Sequence, residues 1–503
     1  LSGRVRKGLG ESIARISKAN SPLPEATTSS LQALELYSRS ENLANSGNYK
    51  DAAVLCQEAV SLDSEFVLAI SRLAYSYRKI GQDSLAAVMH NRILPLIHRV
   101  SERERLDIFV NYYGPSFEID FQKARESAVK LTLMYPHDAD AFQYLGHLSM
   151  FAGDTKSALE ANARAVSLDQ GEEQTCFHNS AYALELANRS EEALDWFRKA
   201  KTLRPDYLSI DMNTALTYWS IGQIDSADTA LVRAFGAATG HQRNQIRVLM
   251  ISLDYFRGNL SAARALCREG LRECAILKRP WDEGYFHLLL GEIASAEGNM
   301  GEYRSQMSQA AGMSASPYAD LALVGWSYAR NGLQRDAERI LTRIDAMRSY
   351  DPWFIRYRPG YRDLIRGEIL LRNGDYAKSR VEFRNIEKVL SGDIIYCLGQ
   401  LGLADCANRS SDANAPAFYD SLQSLRGETF LGSLFSVRRS GFWTRWLWPD
   451  AEFEVGKIYA SRNQNTQAVE HLNRGLQFLK NADSGDRRAS SARSLLVKIT
   501  GGK

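Results

Sequence analysis

A glycine followed five residues later by an alanine recurs along almost the whole chain. Gly47 precedes Ala52, Gly81 precedes Ala86, Gly153 precedes Ala158, Gly222 precedes Ala227, Gly258 precedes Ala263 and Gly332 precedes Ala337. Successive alanines lie 34 apart from Ala52 to Ala86 and from Ala193 to Ala227, and 35 apart from Ala158 to Ala193. The glycine is placed to end one helix, where a left-handed backbone closes the last turn without a Cβ penalty. The alanine falls on the next helix where it crosses the first, and a larger side chain would push the two apart. Residues 139–170 show this best: Phe142, Leu145, Gly146 and Ser149 share one helix face, Gly153 turns the chain, and Ala158, Asn162 and Ala165 face back. The small pair Gly146 and Ala158 lets the two helices approach closely.

This period resembles that of tetratricopeptide-repeat (TPR) proteins, and the resemblance covers nearly all of residues 30–480. It implies an all-α, right-handed superhelical solenoid of about a dozen TPR-like helix pairs, whose work is holding other molecules rather than transforming them. Length alone, 503 residues, suggests three or four compact domains, but a solenoid grows by stacking and needs no second core. Residues 1–29 read as an amphipathic start, Val5 to Ile16, and a linker with Pro22 and Pro24. Residues 30–480 form the solenoid, with divergent units near 99–136 and 390–448 and longer connections at 276–283 and 346–359. Residues 481–503 hold a capping helix, about 484–499, and a tail.

The charge balance excludes one large class of partners. With 62 basic and 59 acidic side chains the net charge is +3, too even for a chain that must neutralise many phosphates, so no nucleic-acid partner is expected. No apolar run approaches the roughly 20 residues that span a bilayer, and membrane contact is disfavoured. The six cysteines, Cys56, Cys176, Cys267, Cys274, Cys397 and Cys406, lack zinc-like spacing and read as small apolar packing residues. Sequons at Asn188, Asn259 and Asn408 fall at expected inter-helix turns, where Asn and Ser are common anyway. The chain begins at Leu1, as a cleaved signal peptide or a cut from a longer polypeptide would leave it.

A narrower resemblance lies in the first hundred residues. Leu9-Gly10-Glu11-Ser12, then Pro22-Leu23-Pro24-Glu25-Ala26-Thr27-Thr28-Ser29-Ser30-Leu31 leading into Ala33-Leu34 and Tyr37, resemble the juncture before the repeats in bacterial transmembrane serine/threonine kinases. Arg99-Val100-Ser101-Glu102-Arg103-Glu104-Arg105-Leu106, ahead of Tyr112-Tyr113, resembles a segment of the same repeat regions. The resemblance implies the extracytoplasmic, repeat-bearing part of a sensor, or a relative without its effector domain. The kinase Gly-rich loop, paired Lys, HRD and DFG segments are absent, so kinase activity does not carry over. An extracytoplasmic location is favoured, and a cytoplasmic one stays open.

No motif for catalysis, a metal or a cofactor emerges. The eight histidines are dispersed, and no HExxH, Walker loop or GxSxG elbow is present. The first helix of each pair offers a wall instead. Counting within units places Gln143, His147 and Met150 on it, then His178, Tyr182 and Glu185, then Met212 and Trp219, and later Trp326. Amides there suit the backbone of an extended peptide and rings suit its apolar side chains, while Trp219 and Trp326 equally suit packing between repeats. Phe442, Trp443, Trp446 and Trp448, around Arg445, form an aromatic segment that docks a partner or folds over the solenoid. The leading expectation is a non-catalytic scaffold binding a protein or peptide. The alternatives are a structural subunit, assembling into a homo-oligomer or filament or fixed in a larger complex, and the sensor region of a kinase-like receptor.

Overall fold

The computed structural model describes residues 28–45, 48–169, 173–277, 280–313, 318–389, 393–425 and 447–501. The expected amphipathic start and most of the linker before residue 28 lie outside these. Among the described residues there are 25 α-helices and no strand, and the helices follow one another in pairs. The first four pairs are α1 (Leu31–Asn45) with α2 (Tyr49–Leu62), α3 (Val67–Lys79) with α4 (Asp83–Leu96), α5 (Glu102–Tyr112) with α6 (Phe121–Met134), and α7 (Ala139–Phe151) with α8 (Thr155–Leu168). Then come α9 (Glu173–Leu186) with α10 (Ser190–Leu203), α11 (Leu208–Ser220) with α12 (Ile224–Ala237), α13 (Gly240–Arg257) with α14 (Leu260–Leu277), and α15 (Pro280–Glu297) with α16 (Met300–Gly312). The last four are α17 (Tyr318–Arg330) with α18 (Gln334–Ala346), α19 (Pro352–Arg372) with α20 (Tyr376–Arg384), α21 (Ile394–Arg409) with α22 (Ala415–Ser424), and α23 (Leu447–Ser461) with α24 (Asn465–Phe478). A single helix, α25 (Arg487–Thr500), follows.

The turn inside each pair explains the glycines. Gly222 adopts φ +77°, and the next residue, Gln223, donates its N–H to the Tyr218 carbonyl at 2.8 Å. This closes the first helix by the Schellman pattern. The same left-handed residue occurs at Gly81, Gly153, Gly258, Gly298, Gly332 and Gly374, and Asn188, Ser411 and Asn463 take the role without glycine. Asn188 and Asn463 keep the alanine five residues on, at Ala193 and Ala468, both fully buried. Often the next residue starts the second helix. Asn299 accepts from Glu302 N–H at 3.2 Å and Asp375 from Lys378 N–H at 3.2 Å, each satisfying a donor that a helix start leaves open. One Gly-Asx dipeptide thus stops one helix and begins its partner.

A second small position lies seven residues before the turn, on the first helix: Ala74, Gly146, Ala181, Ala215, Gly291, Gly325, Gly367, Ala404 and Gly456. At several of these glycines the facing helix supplies a large side chain. A Cβ on Gly367 would lie 2.7 Å from the Phe383 ring, and one on Gly456 would lie 2.8 Å from Leu472. Phe383, 1% exposed, also packs on Gly402, and burying such a side chain stabilises by about 2–3 kcal/mol.

The described residues divide into two compact units, one made of those within 1–152, 163–169 and 348–356, the other of those within 153–162, 170–347 and 357–503. In the first, Cys56, Phe66, Ile70, Leu73 and Ile93 form a continuous core. The divergent region 99–136 holds α5 and α6. A capping box between Ser101 and Glu104 starts α5. Residues 348–356 pack in this unit: Arg78 donates to the Tyr350 carbonyl at 3.2 Å, and Trp353 lies 6.3 Å from Phe121, centroid to centroid. The expected connection 346–359 is therefore shorter than anticipated, because α19 already begins at Pro352, a residue suited to a first helical turn.

The second unit turns back on itself. The loop before α25 meets the α13–α14 turn. Asp483 N–H donates to the Gly258 carbonyl at 2.9 Å, and the Asp483 carboxylate accepts from Ser261 N–H at 2.7 Å. Arg488 donates to the Tyr255 carbonyl at 2.8 Å and stacks 4.4 Å above its ring. A Cβ on Gly298 would collide with Arg487. The terminal helix thus covers the flank of α23 and α24 and also the turns at Gly258 and Gly298.

Two substitutions separate backbone strain from crowding. Gly222→Ala places its Cβ in open space and should cost about 1–2 kcal/mol through the left-handed backbone alone. Gly402→Ala places a Cβ 2.4 Å from Phe383 and should cost about 1–3 kcal/mol through overpacking. Adding Phe383→Leu should recover part of the loss in the second case and none in the first, as read from urea-unfolding midpoints.

Candidate functional site

The repeat also fixes a register for side chains that neighbouring first helices present to one another. Six residues before the turn stand His147, Tyr182, Glu292, Trp326, Glu368 and Asp405. The sequence reading singled out three of these and missed the three acids. The acids bear on Arg330, four residues beyond Trp326 and thus on the same face of α17.

Arg330 donates to Asp405 on α21 at 3.0 Å, lies 3.9 Å from Glu368 on α19 and stacks 5.3 Å from the Trp326 ring. Glu368 is fully buried and is held by Arg372 at 2.8 Å. Asp405 accepts a second bond from the Tyr419 hydroxyl at 2.6 Å. Burial opposes the charge on Arg330, but Asp405 and Glu368 outweigh it and keep the guanidinium protonated beyond its ordinary range. Glu292 on α15 accepts a hydrogen bond from Ser327, whose hydroxyl lies 2.8 Å from that of Tyr303. Burial pushes Glu292 up to about 7, against the opposing pull of Ser327 and Arg330. Four successive first helices, α15 to α21, are thereby joined by one polar ladder centred on a single arginine.

The other expected wall residues divide into polar and packing groups. In the first unit, His147 lies 4.7 Å from Phe151, its pKa pushed down to about 4 by burial; Gln143 is half-buried one turn before it, and Met150 is buried. In the second, His178 lies 2.8 Å from the Asn213 amide. Tyr182, Glu185 and Met212 are buried. Trp219 and Trp326, at 0% and 1% exposure, offer no surface to a partner; they are packing residues. Trp219 meets Phe256 at 5.2 Å, Phe256 meets Phe478 at 5.1 Å, and Phe478 meets Trp448 at 6.2 Å. Trp448, expected in a docking segment, thus ends an aromatic string through the core of the second unit. Phe442, Trp443 and Trp446 lie outside the described residues. Asn408 falls on helix α21 rather than in a turn.

Among the described residues all six cysteines are buried and outside any disulfide, no group of His, Cys, Asp and Glu could hold a metal, and no helix is long and apolar enough to cross a membrane. The ladder holds and positions charge.

No family model and no curated protein sequence matches this chain. Solved structures resemble parts of it. A thermophilic TPR protein of Thermus thermophilus, TTC0263, is 17% identical and covers 37% of this chain and 99% of its own, with a TM-score of 0.31. A tetratricopeptide repeat protein from Parabacteroides merdae is 12% identical, covering 59% of this chain and 98% of its own, with a TM-score of 0.35. YrrB, a TPR protein described as having an unusual peptide-binding site, is 17% identical, covering 35% and 89%, with a TM-score of 0.26. The repeat class of this chain rests on its own paired helices and left-handed turns rather than on these likenesses.

Truncation should separate packing from polar roles. Trp219→Ala is expected to cost about 3–5 kcal/mol through the void it leaves. Arg330→Ala should cost about 3 kcal/mol, because it strands buried carboxylates. Gln143→Ala, at a half-buried position, should cost less than either. Chemical unfolding of the three variants checks this order.

Proposed function

We propose that this protein is a non-catalytic interaction scaffold that captures a protein segment along its first-helix walls, and that it works outside the cytoplasm. The observation that carries the reading is the repeated pairing of helices through the same left-handed turn, which within each unit sets first helices side by side as a wall. An extended segment lying along such a wall meets the side chains left accessible on it, Gln143 in the first unit and Lys457 in the second, and affinity accumulates from many modest contacts. The extracytoplasmic placement draws on the resemblance of Pro22–Leu31 and Arg99–Leu106 to repeat regions of bacterial transmembrane kinases. The same likeness makes a sensor region of a receptor the form this scaffold takes if further domains adjoin it.

Self-assembly into a filament is the competing reading. It is disfavoured by the seating of α25, which leaves the final helix pair covered rather than offered for end-to-end stacking.

The test places a photo-crosslinking residue on either face of the helix pairs. Gln143 and Lys457 stand on first helices; Val232 and Val381, 55% and 56% exposed, stand on second helices. A partner trapped from the first pair and not from the second is the expected result. Trapping only from the second pair, or trapping of the chain's own copies together with concentration-dependent growth in light scattering, would overturn it. Protease protection in intact cells decides the compartment: cleavage from outside is expected, and protection until lysis contradicts it.

A further inference from the structure

We propose that the ladder on α15, α17, α19 and α21 is a pH-sensitive latch between repeats, in which ionisation of Glu292 draws Arg330 away from Asp405 and Glu368. The geometry comes first. Arg330 is one cation facing acids on both sides: Glu292 on the preceding first helix, and Glu368 and Asp405 on the two that follow. Its bond to Asp405 is 3.0 Å, while Glu368 stands off at 3.9 Å. Among the described residues no guanidinium is bonded to Glu292; the hydrogen bond it accepts comes from Ser327.

The hydroxyl chain Tyr303–Ser327–Glu292 accepts either protonation state. A protonated Glu292 satisfies the chain without a counter-ion, so Arg330 keeps its bond to Asp405. An ionised Glu292, 7% exposed, is a buried charge that a hydroxyl alone does not compensate, and a buried charge is stable only when paired. The cation that acts on it is Arg330. The groups facing Glu292 are Tyr303 from α16, Ser327 and Arg330 from α17, and Tyr255 from α13, whose own hydroxyl is held neutral by burial. Beyond Arg330 stand Glu368, Asp405 and Asp450, the last also near Arg488 on α25. A change of partner at Arg330 therefore loosens the bond that ties α17 to α21.

The direction with pH is fixed. Folding raises Glu292 from its ordinary 4.5 to about 7, so between those values the folded chain holds a proton that the unfolded chain releases. The latch is fully closed below about 4.5 and loses stability as pH rises through about 7. Loosening of a single site can reach at most about tenfold in its opening equilibrium per pH unit.

Hydrogen–deuterium exchange of the whole chain between pH 5 and pH 8, corrected for intrinsic exchange chemistry, tests this. Exchange along α17 and α21 should accelerate several-fold from pH 5 to pH 8 in the wild type, and Glu292→Gln, which keeps the Ser327 bond without titrating, should abolish the acceleration. Asp405→Asn should move the midpoint to lower pH, because the loss of one competing carboxylate lets Arg330 stabilise the ionised Glu292 more strongly. A wild-type slope that persists in Glu292→Gln overturns the proposal. So does a midpoint in Asp405→Asn that stays in place or rises, and that arm decides alone if Glu292→Gln does not fold.

Discussion

Everything in this fold depends on one backbone event, the left-handed residue that closes the first helix of a pair and lets the second start one or two residues later. A helix leaves several carbonyls unmatched at its end and several amides unmatched at its beginning. The Schellman bond from Gln223 to Tyr218 and the caps supplied by Asn299 and Asp375 satisfy both ends within three or four residues. The two helices must then run antiparallel and close, which makes small residues obligatory where they touch. Glycine is the residue of least strain at that turn, yet Asn188 and Asn463 reach the same conformation. The repeat is therefore a repeat of geometry, and only partly of residue type.

That distinction decides how much was legible in the sequence. Gly81, Gly153, Gly222, Gly258 and Gly332 marked turns that the structure contains, and the paired all-helical architecture followed from their spacing. Gly298 and Gly374 carry turns as well, but Tyr303 and Ser379 stand where the alanine would be, so the five-residue beat passed over them. The start of α19 at Pro352 was hidden because the expected connection 346–359 runs through the first turns of the helix as far as Pro359, a residue that reads as a break.

The candidate site was legible by half. Counting from the turns found His147, Tyr182 and Trp326 because aromatic and imidazole groups attract notice as binding chemistry. The identical offset leads to Glu292, Glu368 and Asp405, which read as ordinary surface acids in a chain with 59 of them. Charge in a sequence carries no mark of burial; only the packing of neighbouring first helices shows that these acids surround an arginine. Trp219 and Trp448 illustrate the reverse. Their size suits a binding anchor and interior packing alike in the sequence, and the structure shows packing, since aromatic rings bury large apolar areas.

The seating of Asp483 and Arg488 on the turn at Gly258 has a consequence for how the second unit comes apart. In an open array each repeat leans only on its neighbours, so the ends fray first and the middle survives. Here residues more than 220 positions apart are bonded directly, and shortening the chain from its C-terminus would strip cover from its midsection. Such an arrangement ties distant repeats into one cooperative block, more like a hoop that fails all at once than a stack losing one coin at a time.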